Sequence, residues 1–548
     1  MLKSPLSLKS VEILFLGIFI SLGLWACIDI GLSWDEGIEF KTWAVNRDAV
    51  MGLFSGNRAA YDVLLNYSDR YYGIGFHLLA NGLSSLLYPW MDLHRELSAE
   101  GTRLLFNHFG TFLAFIGSGY LVRALLLQLT HNRLIATLGM GAYLLWPYLL
   151  GHGLMNIKDI PFLFVWLACT YLVLKLFLIE PSGLSPSKHR GQFNLLLLGL
   201  LTGWLLSIRI SGVLILIEYG VLAMSYLLLN RSAPLQIHFL NSKSLLLFVL
   251  GLIVSYGLLS PILWHDPREF LNAIRYMSHH PWDGDTLTWG NFMSSSKERF
   301  FLYIPYWLFV KLPVMIIIGI AALPLALFNL HKQNAVLAKS ALFTLVGLAA
   351  SVLAIILTLC LTRTPLYNEL RQILFLFPVL YIIGLTSLFY VNKKIALIGL
   401  VLSAVIFIWD DIVLHPYEYT YLNEIIRQLK DPEDFEKDYI GISAGKNAQW
   451  LNHSQLTVGS DCLYATPLHL WQYQLNLNQY PCLKDFSARS FDYQNTSFLL
   501  ATINRNNANL LPMPSCKVVH SEERTLPLST AKLVFGKVYW CRPEFLKP

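Results

Sequence analysis

Long unbroken apolar runs constrain this chain more than any other feature. A run of about 20 apolar residues can cross a hydrocarbon core as a helix, and Val11–Ile30 is the first such run. Others lie at Leu104–Leu127, Leu134–Leu150, Pro161–Ile179, Leu195–Ile208, Val213–Leu229, Leu245–Leu263, Tyr303–Leu330, Ala341–Leu361, Leu370–Tyr390 and Ile395–Leu414. By the ~20-residue criterion that is roughly eleven spans. Leu195–Ile208 is short and meets its neighbour through a tight turn at Arg209–Gly212, which makes that hairpin the weakest pair. Within a bilayer only helices and closed barrels satisfy their backbone groups. Barrel strands would alternate apolar and polar residues, and these runs do not. Composition agrees: of 548 residues 55% are hydrophobic and 14% charged, against roughly 25% charged in an ordinary soluble chain. The first run lacks the small-residue cleavage site of a signal peptide and reads as a retained span. The expected fold class is an α-helical polytopic membrane protein with a soluble C-terminal domain.

Basic residues in short loops set the orientation. With Lys3 and Lys9 in the cytoplasm, Arg133, Lys188–His189–Arg190, Arg231 and Lys243, Lys332 and Lys339, and Lys393–Lys394 all fall on the same side. The opposite side receives a long first loop (31–102), a central loop (264–302) and everything after residue 414. The expected division is a membrane domain over 1–414 and a soluble, extracytoplasmic domain over 415–548. That tail is polar, with short β-like runs at Ser497–Asn504, Cys516–His520 and Ala531–Cys541, and reads as a mixed α/β unit. Of the seven cysteines, Cys27, Cys169 and Cys360 lie in spans. Cys462, Cys482, Cys516 and Cys541 lie in the tail, where an even number on an oxidising side permits disulfides of any of three connectivities. Their spacing is a poor match for zinc. The chain shows no internal repeat and no pair of broken helices in matching halves. It has no phosphate-cradling Walker loop and no dinucleotide fingerprint. The modest net charge of +6 follows from topology and gives no basis for nucleic-acid binding.

Six polar clusters fall where spans meet the extracytoplasmic face: Ser33–Gly37, Asn156–Phe162, Arg209, His279–Asp285 with Lys311 beyond it, Tyr367–Gln372 and His415–Tyr419. Each has an ordinary reading. Asp35 could be a topological anchor, Lys158–Asp159 a local ion pair, and Arg209 and Arg371 could snorkel to headgroups. His279 and His280 could be plain loop residues. Adjacent residues do not face each other on a helix, however, and charges at the edge of a membrane core default to a functional hypothesis. Carboxylates and several cations on one face suit a sugar held on a lipid phosphate. The phosphate leaves as an anion and needs cations rather than a general acid. The acceptor hydroxyl or amine needs a carboxylate to orient it and take its proton.

At these residues the chain resembles the GT-C superfamily of glycosyltransferases, in the bacterial branch related to protein O-mannosyltransferases and the lipid A aminoarabinose transferase. The resemblance covers nearly the whole chain in order. Asp35–Glu36 falls at the superfamily's acidic motif in the first extracytoplasmic loop. Lys158–Asp159–Ile160–Pro161–Phe162 is the most specific match, and Ser207–Gly212 resembles the Arg-containing turn that follows it. His279–Trp282, Tyr303–Trp307 with Lys311–Pro313, Tyr367–Arg371 and His415–Tyr419 resemble later motifs. The branch usually has Pro where this chain has Ile157, and often His where it has Gln372, so no histidine role is carried to that position.

The resemblance implies a polyprenyl-phosphate-linked sugar donor and transfer with inversion. It implies Asp35 as general base or acceptor-positioning carboxylate, Asp159 as a second acid, and Glu36 in support. Lys158, Arg209 and Arg371 would bind the donor phosphate, with His279, His280 and Tyr367 as substrate-loop candidates. Some members hold a divalent metal between such acids. Asp35 with Asp159 could do so here, but a cation site wants more oxygen ligands than the sequence assigns, so a divalent metal is left open and no other cofactor is expected. Short interfacial helices in the first loop could close over the lipid donor. The acceptor is open among protein, lipid and glycan. A transporter or flippase of a lipid-linked substrate is the competing reading, and a receptor that merely anchors its tail would need far fewer spans. With no organelle signal, the expected location is a bacterial inner membrane with the tail in the periplasm. The sequons at Asn66, Asn452 and Asn495 are short enough to arise by chance.

Overall fold

The computed structural model describes residues 8–87, 99–177, 188–229, 242–278, 285–297, 300–333, 336–454, 456, 462–486, 497–505 and 515–542. Among them, eight helices are long and apolar enough to cross a bilayer: Leu8–Asp29, Arg103–Thr130, Asp159–Leu176, Gly191–Ile208, Ile210–Leu228, Ser242–Leu259, Leu337–Leu361 and Lys393–Leu414. The chain is a multi-pass α-helical membrane protein.

Two more apolar helix pairs are long enough together but bent at a break: Arg133–Leu144 with Pro147–Met155 by 63°, and Val314–Ala321 with Leu323–His331 by 49°. The apolar pattern runs through both bends, so hydropathy alone does not reveal them. Their cause is proline. Pro147 and Pro324 sit in the first turn of the second half-helix, where a missing N–H costs nothing but the chain cannot continue straight. Among the described residues eight helices pass the length and composition test, and up to ten spans if each bent pair is one, with Leu376–Val391 a further apolar helix too short for that test. The run expected at 370–390 becomes helical only at Leu376, because the preceding residues are spent on a turn. Leu376–Val391 has 16 residues, about 24 Å of rise, short of the ~30 Å core. Every residue from Leu376 to Leu388 is buried, so this helix runs through the protein's interior rather than against lipid.

The first helix of the hairpin that looked weakest is held by a third helix rather than by its hairpin partner. Lys188–Ile208 is a full 21-residue helix lying against Ser242–Leu259. A Cβ on Gly199 would come within 2.1 Å of the Phe248 carbonyl oxygen, so the two backbones meet across a small-residue surface, as helices do in lipid. The first loop contributes helices Trp34–Phe54, Arg58–Leu65 and His77–Leu87.

The tail builds a five-stranded sheet in the order Leu483–Asp485, Cys462–Ala465, Phe498–Ile503, Lys532–Cys541, Cys516–Thr525. The first two pairings are parallel and the last two antiparallel. Three of these strands fall on the β-like runs of the sequence. Two disulfides join neighbouring strands, Cys462–Cys482 and Cys516–Cys541. Cys27, Cys169 and Cys360 are buried and free.

The tail is docked on the helices. Trp34 N donates to Ile440 O at 2.7 Å, and Lys446 pairs with Asp29 at 2.6 Å. Arg427 grips both oxygens of buried Asp410 at 2.7 and 2.8 Å. His415, at the hinge into the tail, lies 2.5 Å from Glu418 and 3.2 Å from Asp29. Burial opposes its charge, but Glu418 and Asp29 outweigh that and raise its pKa from 6.5 to about 9. A raised histidine contributes stability that is complete below its unfolded value and lost as pH rises through its folded value. Thermal stability should therefore fall by up to about 3 kcal/mol between roughly pH 7 and 10. His415→Gln should start lower and show a flatter profile over that window, measured by thermal unfolding in detergent.

Candidate active site

Short local devices place each polar cluster. Ser33 begins the Trp34–Phe54 helix in an S-x-x-E pattern, with Glu36 Oε2 accepting from Ser33 N at 3.3 Å. Asp35 and Glu39, four residues apart, then share one face of that helix. Asn156 folds the next cluster: its Oδ1 accepts from the backbone N–H of Lys158 at 3.3 Å and of Asp159 at 2.9 Å. This Asx turn sets Asp159 as the first residue of the Asp159–Phe177 helix, where a carboxylate suits the helix dipole. Arg209 is a single extended residue (φ −149°) between the helix ending at Ile208 and the 3-10 turn Ile210–Leu214. In the fifth cluster Asn368 and Glu369 are both left-handed, at φ 53° and 64°. For a glutamate that conformation is strained and persists only where surroundings enforce it. Arg505 of the tail supplies part of that enforcement, donating to Asn368 Oδ1 at 2.7 Å.

Four of the six clusters converge on one hollow of about 730 Å³, lined by Asp35, Glu36, Glu39, Tyr72, Lys158, Asp159, Arg209, Tyr367 and Arg371. The charges are paired. Asp35 binds Arg371, and Asp159 binds Arg209. Lys158 Nζ lies 2.7 Å from Glu39 and 3.9 Å above the Tyr72 ring. His77 Nε2 is 3.4 Å from the other oxygen of Glu39. Burial would raise the Glu39 carboxyl, but Lys158 and His77 outweigh it and hold it down at about 2. Burial dominates at Lys158 and pulls its pKa down in spite of Glu39. Among the paired acids Asp35 is the open one: its side chain is 44% exposed, against 6% for Asp159.

A second hollow of about 700 Å³ adjoins the first. Its walls are largely apolar: Ile210, Leu214, Met277, Leu359, Leu366, Ile373 and Phe375. Tyr72, Lys158, Arg209 and Tyr367 line both hollows, so a seam of two cations and two phenols separates an acidic chamber from a greasy one. The first loop reaches this seam by close approach. Gly75 N donates to Ser207 O at 2.9 Å, and a Cβ on Gly73 would lie 2.3 Å from that same oxygen. Only glycine lets Tyr72 settle there.

The other expected residues are placed differently. Glu36 lines the acidic hollow but is 3% exposed and bound to His108 Nε2 at 2.5 Å, so it is held in place rather than open. His279 and His280 lie outside the described residues. Lys311 is not in the hollow. It forms a fully buried pair with Glu369 at 2.8 Å, and burial pushes the Glu369 carboxyl up to about 7 despite Lys311. A hydrogen-bond chain ties that pair to the site. Glu369 Oε2 is 3.3 Å from Tyr439 Oη, and Tyr439 Oη is 3.3 Å from His152 Nε2. His152 Nδ1 is 3.1 Å from Asn156 Nδ2, which also donates to Asp159 at 3.0 Å. Glu39 is not among the residues expected from the sequence, and its four-residue offset from Asp35 on the same helix is the signal that marks it. His415–Tyr419, the sixth cluster, faces Asp29 and the tail instead.

The donor set does not fit a divalent cation. Asp35, Asp159, Glu39 and Glu36 are each engaged by Arg371, Arg209, Lys158 and His108. Among the described residues no three His, Cys, Asp or Glu are grouped to hold a metal, where a magnesium or calcium ion wants about six oxygens.

No protein-family model matches this chain, and no curated protein matches it. Among solved structures it resembles the crystal structure of ArnT from Cupriavidus metallidurans bound to undecaprenyl phosphate. That match has 13% identity and a TM-score of 0.46, and covers 99% of this chain and 100% of that one. It also resembles the apo state of the same protein at 12% identity and a TM-score of 0.42, over 87% of this chain and 94% of the other.

Proposed function

We propose that this protein is a membrane glycosyltransferase of the GT-C type that moves a sugar from a polyprenyl-phosphate donor to an acceptor on the extracytoplasmic face. The observation that carries the reading is the seam. Lys158 and Arg209 stand between an apolar hollow that suits a prenyl chain and an acidic chamber that suits a sugar and its acceptor. A lipid-linked sugar has that same division, with its phosphate at the junction. Lys158 and Arg209 hold the phosphate, and Arg371, on the acidic side, adds a third cation. Asp35, the open carboxylate, orients the acceptor and takes its proton. The acceptor's oxygen or nitrogen bonds to the anomeric carbon while the bond from that carbon to the phosphate oxygen breaks. The electron pair leaves with the phosphate, whose growing negative charge the cations stabilise. Attack from the acidic chamber opposite the phosphate inverts the anomeric carbon. Asp159 and Glu39 hold Arg209 and Lys158 in position, and Glu36 fixes the start of the Asp35 helix through His108. The active face and the tail lie in the periplasm of a bacterial inner membrane.

The test is release of free polyprenyl phosphate by the purified protein in detergent, supplied with a panel of polyprenyl-phosphate sugars and candidate acceptors. Release by the wild type, with or without EDTA, and release lowered about 10²–10⁴-fold in Asp35→Asn is the expected result and identifies the sugar. Failure with every donor and acceptor, with or without divalent metal, would favour a transporter or flippase of the same lipid-linked substrate.

A further inference from the structure

A third cavity, of about 1300 Å³, opens between the first helix and the last span, away from the acidic hollow. Most of its wall is apolar, with Phe19, Leu22, Leu154 and Ile412 among the lining residues. Its polar end is formed by Asp411, His415 and Glu418, beside the Trp25 ring. Asp411 is three residues from the end of the Lys393–Leu414 helix, about 4.5 Å of rise, which is where a lipid's headgroup meets its chains.

The polar end is short of hydrogen-bond donors. Both oxygens of Asp411 and Oε2 of Glu418 are buried without a hydrogen-bond partner among the described residues, and Glu418 is 2% exposed. Asp410, next in the chain, faces Arg427 and is neutralised by it. The remaining acids are Asp29, Asp411 and Glu418, and two basic side chains reach this group. His415 bridges Asp29 and Glu418, and Lys446 is spent on Asp29. Unpaired carboxyl oxygens at a membrane boundary are costly unless a donor reaches them. A donor arriving with an apolar tail would satisfy the cavity's walls and its head together. The Trp25 ring stands at the same end, 5.3 Å from that of His415.

We propose that this cavity is a binding site for a membrane lipid with a primary-amine headgroup, of the phosphatidylethanolamine class. The ammonium donates to Asp411 and Glu418, and the acyl chains lie between Leu8–Asp29 and Lys393–Leu414. The site is separate from the proposed sugar-transfer site and does not depend on that function.

Native mass spectrometry of delipidated protein in detergent tests this with phosphatidylethanolamine and phosphatidylglycerol of identical chains. The expected result is one retained phosphatidylethanolamine, bound about tenfold or more tightly than phosphatidylglycerol, as befits charge-assisted hydrogen bonds. Asp411→Asn with Glu418→Gln should abolish that preference. Leu22→Trp, which fills the tail space, should weaken both lipids and leave the carboxylates intact. Free ethanolamine should neither bind nor compete. Equal retention of the two lipids, or a preference unchanged in the double variant, would overturn the proposal and leave the cavity as a bed for bulk lipid. Should the double variant fail to fold, the wild-type preference and Leu22→Trp still decide it.

Discussion

Asp35→Asn should lower sugar transfer by about 10²–10⁴-fold, the usual worth of a positioned general base, while leaving the protein folded. The two halves of this expectation have different origins. Asparagine keeps the shape and can still accept from Arg371, but it cannot take a proton from the acceptor. The structural cost is small because the Asp35 side chain is 44% exposed and its pair with Arg371 is partly solvated. Asp159→Asn makes the contrast. Its side chain is 6% exposed and holds Arg209, so that change should lower both activity and thermal stability, with an uncompensated cation left at the seam. Donor binding separates the roles further. If Lys158 and Arg209 hold the phosphate, Asp35→Asn should bind polyprenyl phosphate as the wild type does, and Arg209→Gln should bind it more weakly. Full transfer activity in Asp35→Asn would remove the base from this position and pass the role to another carboxylate in the hollow.

How much of this site the sequence discloses depends on the kind of residue. Asp35, Lys158, Asp159, Arg209 and Arg371 stand out because ionisable groups beside apolar spans are expensive, and the hollow gathers all of them. Glu39 hides in a helix whose other residues are mixed, and only its four-residue offset from Asp35 marks it. Lys311 and Glu369 are visible as charges but not as a pair, since 58 residues of chain separate them and partner choice is a property of packing. The spans show a similar division. Hydropathy finds where the chain enters the membrane, yet Leu376–Val391 is as apolar as any span and is buried in protein, because apolar runs cannot distinguish lipid from a protein interior. The bends at Pro147 and Pro324 are written in the sequence, but a proline near a span's middle reads as a kink only when its place in the first helical turn is known. The disulfides lay beyond spacing altogether. Cys516 and Cys541 meet because their strands pair in the sheet.

Lys311→Met should be the most destabilising of the single changes considered, by about 3–5 kcal/mol, because it strands a buried carboxylate. Lys311 and Glu369 are both fully buried. Without the lysine, Glu369 would be left to phenols, with Tyr439 Oη donating to its Oε2 at 3.3 Å. Its conformation matters as much as its charge: Asn368 and Glu369 hold a left-handed backbone, and that turn carries Tyr367 and Arg371 to the hollow. Loss of the pair should therefore loosen the site as well as the fold, with transfer activity falling at temperatures where the variant remains folded. The double variant Lys311→Met with Glu369→Gln distinguishes a lost charge from a lost shape. Glutamine removes the stranded charge and can still meet Tyr439, so much of the stability should return. A neutralised pair often costs little against its ionic original. Thermal unfolding of the wild type, the two single variants and the double variant gives the coupling directly. If Lys311→Met is no less stable than the wild type, the carboxyl at Glu369 is already neutral and the turn is held by Tyr439, Arg505 and packing. In that case activity should survive the double variant unchanged, and the path from this pair through His152 to Asp159 would be a feature of packing alone.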